Sequence, residues 1–228
     1  MRAVLIIALV CALPTSPASG RERGWREAAT PDDRRRLRGW RNAWMAALPA
    51  ARAGGGASTI AADPALFDPD RALRDPVPPP GLYGCRTIKL GSQGGRGPAF
   101  VVYDRFRCRV WENGRFSKLD GSQRPVGAIH PDTTGRAVFL GTLMLGEERK
   151  PIKYGRDRER DMVGVVERIG PARWRMVFPY PRFESLVDVI ELVPDSVGAA
   201  GSVGATGGGT TASLGATGAA GRGGSAAR

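Results

Sequence analysis

Histidine is nearly missing from this chain: His130 is the only one in 228 residues. A Ser-His-Asp or Cys-His mechanism needs an imidazole beside a nucleophile, and His130 precedes Pro131 at an expected strand end with no G-x-S-x-G elbow to go with it. It reads as a turn residue rather than a catalytic base. Cysteine is scarce as well, at positions 11, 85 and 108. So few thiols, unclustered with the one imidazole, do not make a Cys/His zinc pattern, and neither a metal nor a cofactor is expected. The glycine run Gly91-Ser92-Gln93-Gly94-Gly95 lacks the lysine and the following helix of a phosphate-binding loop. Long apolar runs are absent, since the stretch from Ala3 to Leu13 is only about half of what a bilayer span requires. The 32 Gly and 18 Pro speak against a bundle of long helices.

What is present begins with an export signal. Met1-Arg2, the apolar run and the small residues Ser16, Ala18 and Gly20 have the layout of a signal peptide over residues 1–20. The expected location is therefore periplasmic or secreted, with no transmembrane segment after cleavage. Removal of this segment leaves Cys85 and Cys108, an even pair in a compartment that permits disulfides. A bond between them is expected, worth about 3 kcal/mol through the loop it closes. Two buried free thiols are the alternative. From Asp195 to Arg228 the composition collapses to Gly and Ala with Ser and Thr, which leaves little to bury against the entropy of ordering, so this tail is expected to be disordered.

The region from 21 to 80 reads as helix followed by a proline-rich connector. Thr30-Pro31-Asp32-Asp33 is a helix start, with Thr30 as N-cap and Pro31 at the first helical position. Leu37, Trp40, Trp44, Leu48 and Ala51 recur at helical spacing and predict one helix from about Pro31 to Arg52, stopped by Gly54-Gly55-Gly56. A second short helix is expected from Ser58 to Phe67, and Pro76 to Pro80 forms a stiff extended connector.

From 81 to 194 the period changes to two. The segment Phe100 to Val110 alternates, with Phe100, Val102, Phe106, Cys108 and Val110 on one face. Comparable strands are expected at 82–90, 114–119, 124–130, 136–145, 162–169, 173–178 and 186–193. The fold class is mainly β: an N-terminal helix, or two, followed by an eight-strand antiparallel meander that closes into a small lipocalin-like barrel. An open sandwich is the alternative. A hairpin between the first two strands would turn in the glycine run and set Cys85 directly opposite Cys108. Trp40 and Trp44 would then cover an open barrel end or the outer wall.

Four stretches carry a family resemblance: Cys85 to Gln93, Gly121 to Gly127, Tyr154 to Asp161, and Pro179 to Ser185. Together they resemble a bacterial family of exported proteins, the domain of unknown function 4893, over roughly Trp25 to Pro194. The resemblance implies no activity. More loosely, a stapled small barrel behind a signal peptide is similar in architecture to secreted bacterial inhibitors of metalloproteases.

The candidate ligand-binding residues are Gln123 and Arg124 in the second stretch and Tyr154 and Arg156 in the third. The amide and guanidinium of the first pair suit an anionic or amide-bearing ligand, and the second pair lies in a charged loop suited to the rim of a barrel. No catalytic residue is assigned. The chain carries a formal net charge of +12, and 30 of its 34 basic residues are arginine. Such a surface favours anionic envelope components and makes association salt-sensitive, whereas nucleic acid is disfavoured by export and by the lack of a reading motif. The leading expectation is a non-catalytic exported module that binds a small ligand or an envelope partner. The alternatives are a protease inhibitor presenting Pro76 to Pro80, and a cell-envelope hydrolase using Asp157, Asp161 and Glu184.

Overall fold

A computed structural model describes residues 24–195 apart from Arg96. The expected signal peptide and all but the first residue of the expected tail lie outside the described residues. Nine strands follow a helical segment: β1 (Gly81–Leu90), β2 (Phe100–Val102), β3 (Phe106–Val110), β4 (Arg115–Lys118), β5 (Gln123–Pro131), β6 (Ala137–Leu145), β7 (Asp161–Gly170), β8 (Arg173–Pro179) and β9 (Val187–Pro194). All neighbours are antiparallel, and β1 pairs with β9 from Tyr83↔Pro194 to Leu90↔Val187. The meander therefore closes into an eight-strand barrel, with β2 as one short extra strand on the edge of β1 that also carries β3.

The expected strand from Phe100 to Val110 is broken between β2 and β3, and the break changes the register. Val102 lies opposite Ile88 while Phe106 lies opposite Cys85. Four steps along one strand thus match three along the other, an inserted residue of the kind that makes a bulge. Because side chains alternate, the extra residue moves β2 and β3 onto different faces. Phe100 packs outward against the helices, while Phe106, Cys108 and Val110 face the barrel interior.

The same register corrects the cysteine expectation. Cys85 opposes Phe106 and Cys108 opposes Tyr83, so the two cysteines are diagonal neighbours rather than a facing pair. Diagonal positions are about 7–8 Å apart between Cα atoms, longer than the span a disulfide bridges. Both are free, buried thiols, and burial pushes the Cys85 thiol well above its ordinary pKa.

The helical segment consists of α1 (Trp25–Ala28), α2 (Pro31–Arg38), α3 (Trp40–Ala51), α4 (Ala57–Ala62) and α5 (Pro64–Phe67). Thr30 caps α2, its Oγ1 accepting from Asp33 N at 3.2 Å. The single helix expected from Pro31 to Arg52 is divided at Gly39, where the ring of Tyr180 comes so close that a Cβ would sit 3.0 Å from it. The three glycines interrupt the helix as expected: Gly54 and Gly55 leave helical geometry, Gly55 at φ +97°, and the chain kinks there before α4.

Trp44, Leu48, Ala51, Ile60, Leu66 and Phe67 pack on Ile88, Leu90, Ile169, Val177, Val187 and Val189, which point outward from the barrel. The helices therefore cover the barrel's outer wall. Buried polar links fasten them there. Arg175, fully buried beside the Trp44 ring, donates to Glu167 Oε2 at 2.8 Å and to Leu66 O at 2.7 Å. Asp63 accepts from Arg173 Nη1 at 2.8 Å, and Arg173 Nε donates to Glu191 Oε1 at 2.6 Å. Charges buried in this manner are tolerable only when fully partnered.

Inside the barrel, Tyr83, Val110, Phe116, Ile129, Phe139, Trp174, Met176 and Leu192 form a filled core. Phe139 packs edge-on to Phe116 and to Phe178, with ring centroids 5.8 Å and 5.7 Å away. Room for its ring comes from Gly127 and Gly141, which face each other across β5 and β6. A Cβ on Gly141 would lie 2.4 Å from the Phe139 ring and 2.4 Å from Val126 O.

Candidate functional site

The two ends of the barrel differ. At the end where β1 begins, the proline connector closes the interior: Pro76 and Pro78 are buried, Val77 packs against the interior core, and the Tyr83 hydroxyl donates to Pro79 O. Pro79 and Pro80 of the connector stay exposed.

At the other end lies a cavity of about 380 Å³. Thr87 and Lys89 of β1, Lys118 of β4, Gln123 and Pro125 of β5, Leu143 of β6, Met162 of β7, Phe178 of β8, and Asp188 and Ile190 of β9 line it. The loops add Tyr103, Gly121 and Ser122, the segment Glu159 to Asp161, and the segment Pro181 to Glu184, while α2 adds Arg36.

All four stretches that carry the family resemblance contribute to this lining. The first supplies Thr87 and Lys89, and its Gln93 also holds the fourth in place. Gln93 Nε2 donates to Pro181 O at 2.6 Å and to Ser185 O at 2.7 Å, while Gln93 N donates to Glu184 O at 2.7 Å. The loop so held has two non-glycine residues in the left-handed region, Tyr180 at φ 46° and Glu184 at φ 68°, conformations that persist only when their surroundings enforce them. The third stretch is tied to the helices: the Tyr154 hydroxyl donates to Asp33 and accepts from Thr30 N at 3.1 Å, and Arg36 Nη2 donates to Asp161 O at 2.8 Å.

Of the four residues proposed from the sequence, Gln123 lines the cavity. Arg124 donates to Gly121 O and Glu148 O, each at 2.9 Å. Tyr154 is a tether between the loop and α2, with burial and the adjacent Asp33 pushing its phenol pKa up. Arg156 is exposed and outside the lining. His130 sits on β5 in register with Val138, a residue of the outer wall. Of the carboxylates considered for hydrolysis, Glu184 pairs with Lys89 at 3.2 Å and Asp161 Oδ1 accepts from Gly155 N at 2.8 Å. Asp157 lies outside the lining.

Lys89 and Lys118 went unrecognised in the sequence. The chain has only four lysines, and these two share the inward phase of their strands. Lys118 is two residues from the buried Phe116, so an ammonium occupies a position that alternation reserves for an apolar side chain. That mismatch was the available signal. Burial works against the charge of Lys89, but Asp188 and Glu184, each 3.2 Å away, outweigh it and hold its pKa above the ordinary lysine value. At Lys118 burial wins and lowers the pKa.

The model of the family described as a domain of unknown function (DUF4893) matches residues 25–192. The chain belongs to this family. No curated protein and no solved structure matches the chain. The matched span takes in both the helical segment and nearly the whole barrel, so in this family member the cavity and the helices that brace its loops fall within one unit. Among the described residues no helix is long and apolar enough to cross a membrane.

Proposed function

We propose that this protein is an exported, non-catalytic binding module that holds a small ligand in the cavity at the open end of its barrel. The observation that carries the reading is the convergence of four separated stretches on one cavity, three through their loops and one through β1 and Gln93. Pockets of a few hundred Å³, largely apolar with a few placed polar groups, are the usual form of a small-molecule site. The export part rests on the layout of residues 1–20.

The test is native mass spectrometry of protein purified from the envelope of the cells that make it. A bound molecule is expected, and it should be lost from Leu143→Trp, which fills the cavity, while that variant still melts cooperatively. A clean ligand-free mass for the natural protein, with nothing co-purifying, overturns the reading.

A further inference from the structure

The cavity is chemically divided. Pro125 and Leu143, opposite each other across β5 and β6, join Met162, Phe178 and Ile190 in an apolar surface. The cations of the lining are Arg36, Lys89, Lys118, Arg160 and Arg182. Four of them have carboxylate partners: Arg36 has Asp33, Lys89 has Asp188 and Glu184, Arg160 has Glu148 and Asp157, and Arg182 has Asp32, which Arg35 and Arg158 share.

Lys118 is the exception. Among the described residues no carboxylate comes within ion-pair distance of its ammonium, which lies 4.0 Å from the centre of the Phe106 ring, and Asp120 acts on it only from farther away. A half-buried charge without a partner is costly, and an incoming anion recovers part of that cost. On the acidic side, Asp188 and Glu184 are taken by Lys89 and Asp161 accepts from Gly155 N. Glu159 is exposed and screened by solvent. Lys118 is thus the lining cation that no carboxylate meets at ion-pair distance among the described residues, and it sits beside an apolar surface. Tyr103 and Phe183, 46% and 54% exposed, extend apolar character to the rim.

Resting on the reading of the cavity as a ligand site, we propose that its occupant is a small anionic amphiphile, with an alkyl or acyl chain on the Leu143–Phe178–Ile190 surface and an acidic head paired with Lys118. A charge-assisted hydrogen bond fixes the head, and burial of the chain supplies affinity without directional demands.

The experiment is isothermal titration of the purified protein with four probes: decanoate, 1-decanol, butyrate and decyltrimethylammonium. Decanoate is expected to bind about tenfold or more tightly than each of the others. Lys118→Gln should raise the Kd for decanoate by about ten- to a hundredfold and leave decanol unchanged, while Lys118→Arg should keep most of the affinity. Melting curves of both variants separate loss of the charge from loss of the fold. Equal binding of decanoate and decanol, binding of the cationic probe, or an unchanged Kd in a folded Lys118→Gln overturns the head-group assignment. Butyrate binding as tightly as decanoate overturns the chain assignment. Should no probe bind while the natural protein carries a molecule that Leu143→Trp loses, the ligand class falls and the cavity reading stands. Should that molecule be missing too, both fall.

Discussion

The same eight-strand wall encloses two different interiors. Toward the start of β1 it is packed with Tyr83, Phe116, Trp174 and Leu192 and stopped by the proline connector; toward the end of β1 it holds a cavity with two lysines. A barrel of this size is just wide enough for side chains to fill, so strand number does not decide which end is hollow. The choice lies in the residues on the inward phase. Aromatic rings fill one half, and in the other Thr87 and Pro125 leave space that long cationic side chains only border. The filled half serves stability, and the hollow half, in our proposal, serves binding.

Substitutions should separate these halves. The largest effect is expected from Phe116→Ala, which empties a fully buried site in the filled half and should cost about 3–5 kcal/mol in denaturant unfolding; a loss below about 1 kcal/mol would show that this half is not the stabilising one. Next comes Gln93→Ala. It removes two side-chain bonds to the loop from Pro181 to Ser185 and should cost about 1–2 kcal/mol, with faster amide exchange confined to that loop. Uniform exchange across the barrel would mean that Gln93 supports the whole fold.

A smaller effect is a pH dependence at Lys118. Its folded pKa lies below the ordinary 10.5 because of burial, so the unfolded chain binds that proton more strongly than the folded one. Stability contributed by this site should therefore rise as pH climbs through the folded pKa toward the ordinary value. The difference in unfolding free energy between the natural protein and Lys118→Gln, followed over that window, isolates it from the other titrating groups; a flat difference would refute the burial of this ammonium. The smallest effect concerns the thiols. Neither Cys85 nor Cys108 should react with iodoacetamide in the folded protein, and both should react after unfolding without reductant. Protection that persists after unfolding would mean a covalent bond between them.

Much of the wall was legible in the sequence, and its details show why the rest was not. The Thr30 cap, the Trp44–Leu48–Ala51 stripe and the period-two segments are local patterns, and closure followed from their number and short turns. The close packing of the Tyr180 ring on Gly39, where the helix divides, comes from a distant part of the chain. Likewise the extra residue between β2 and β3 is invisible to alternation, because Phe100, Val102, Phe106, Cys108 and Val110 keep an even spacing across it while their faces change. The cysteine pairing failed earlier, at the turn: the β1–β2 register alone would set Cys85 opposite Arg105, and the extra residue moves its partner only to Phe106. In the candidate site, Gln123 was found because it belongs to an unusual polar run, whereas Lys118 was marked only by an ammonium on the inward phase of β4, and that no carboxylate among the described residues meets it at ion-pair distance shows only in the closed barrel.

The proline stopper has a consequence for traffic. A tube open at both mouths would let a molecule pass through; with aromatic rings filling one half and Val77 packed against that core at its mouth, the vessel is a cup. In our proposal a ligand therefore leaves by the mouth it entered, past the segment braced by Gln93. How long a guest stays is then set at that brim and not at the base.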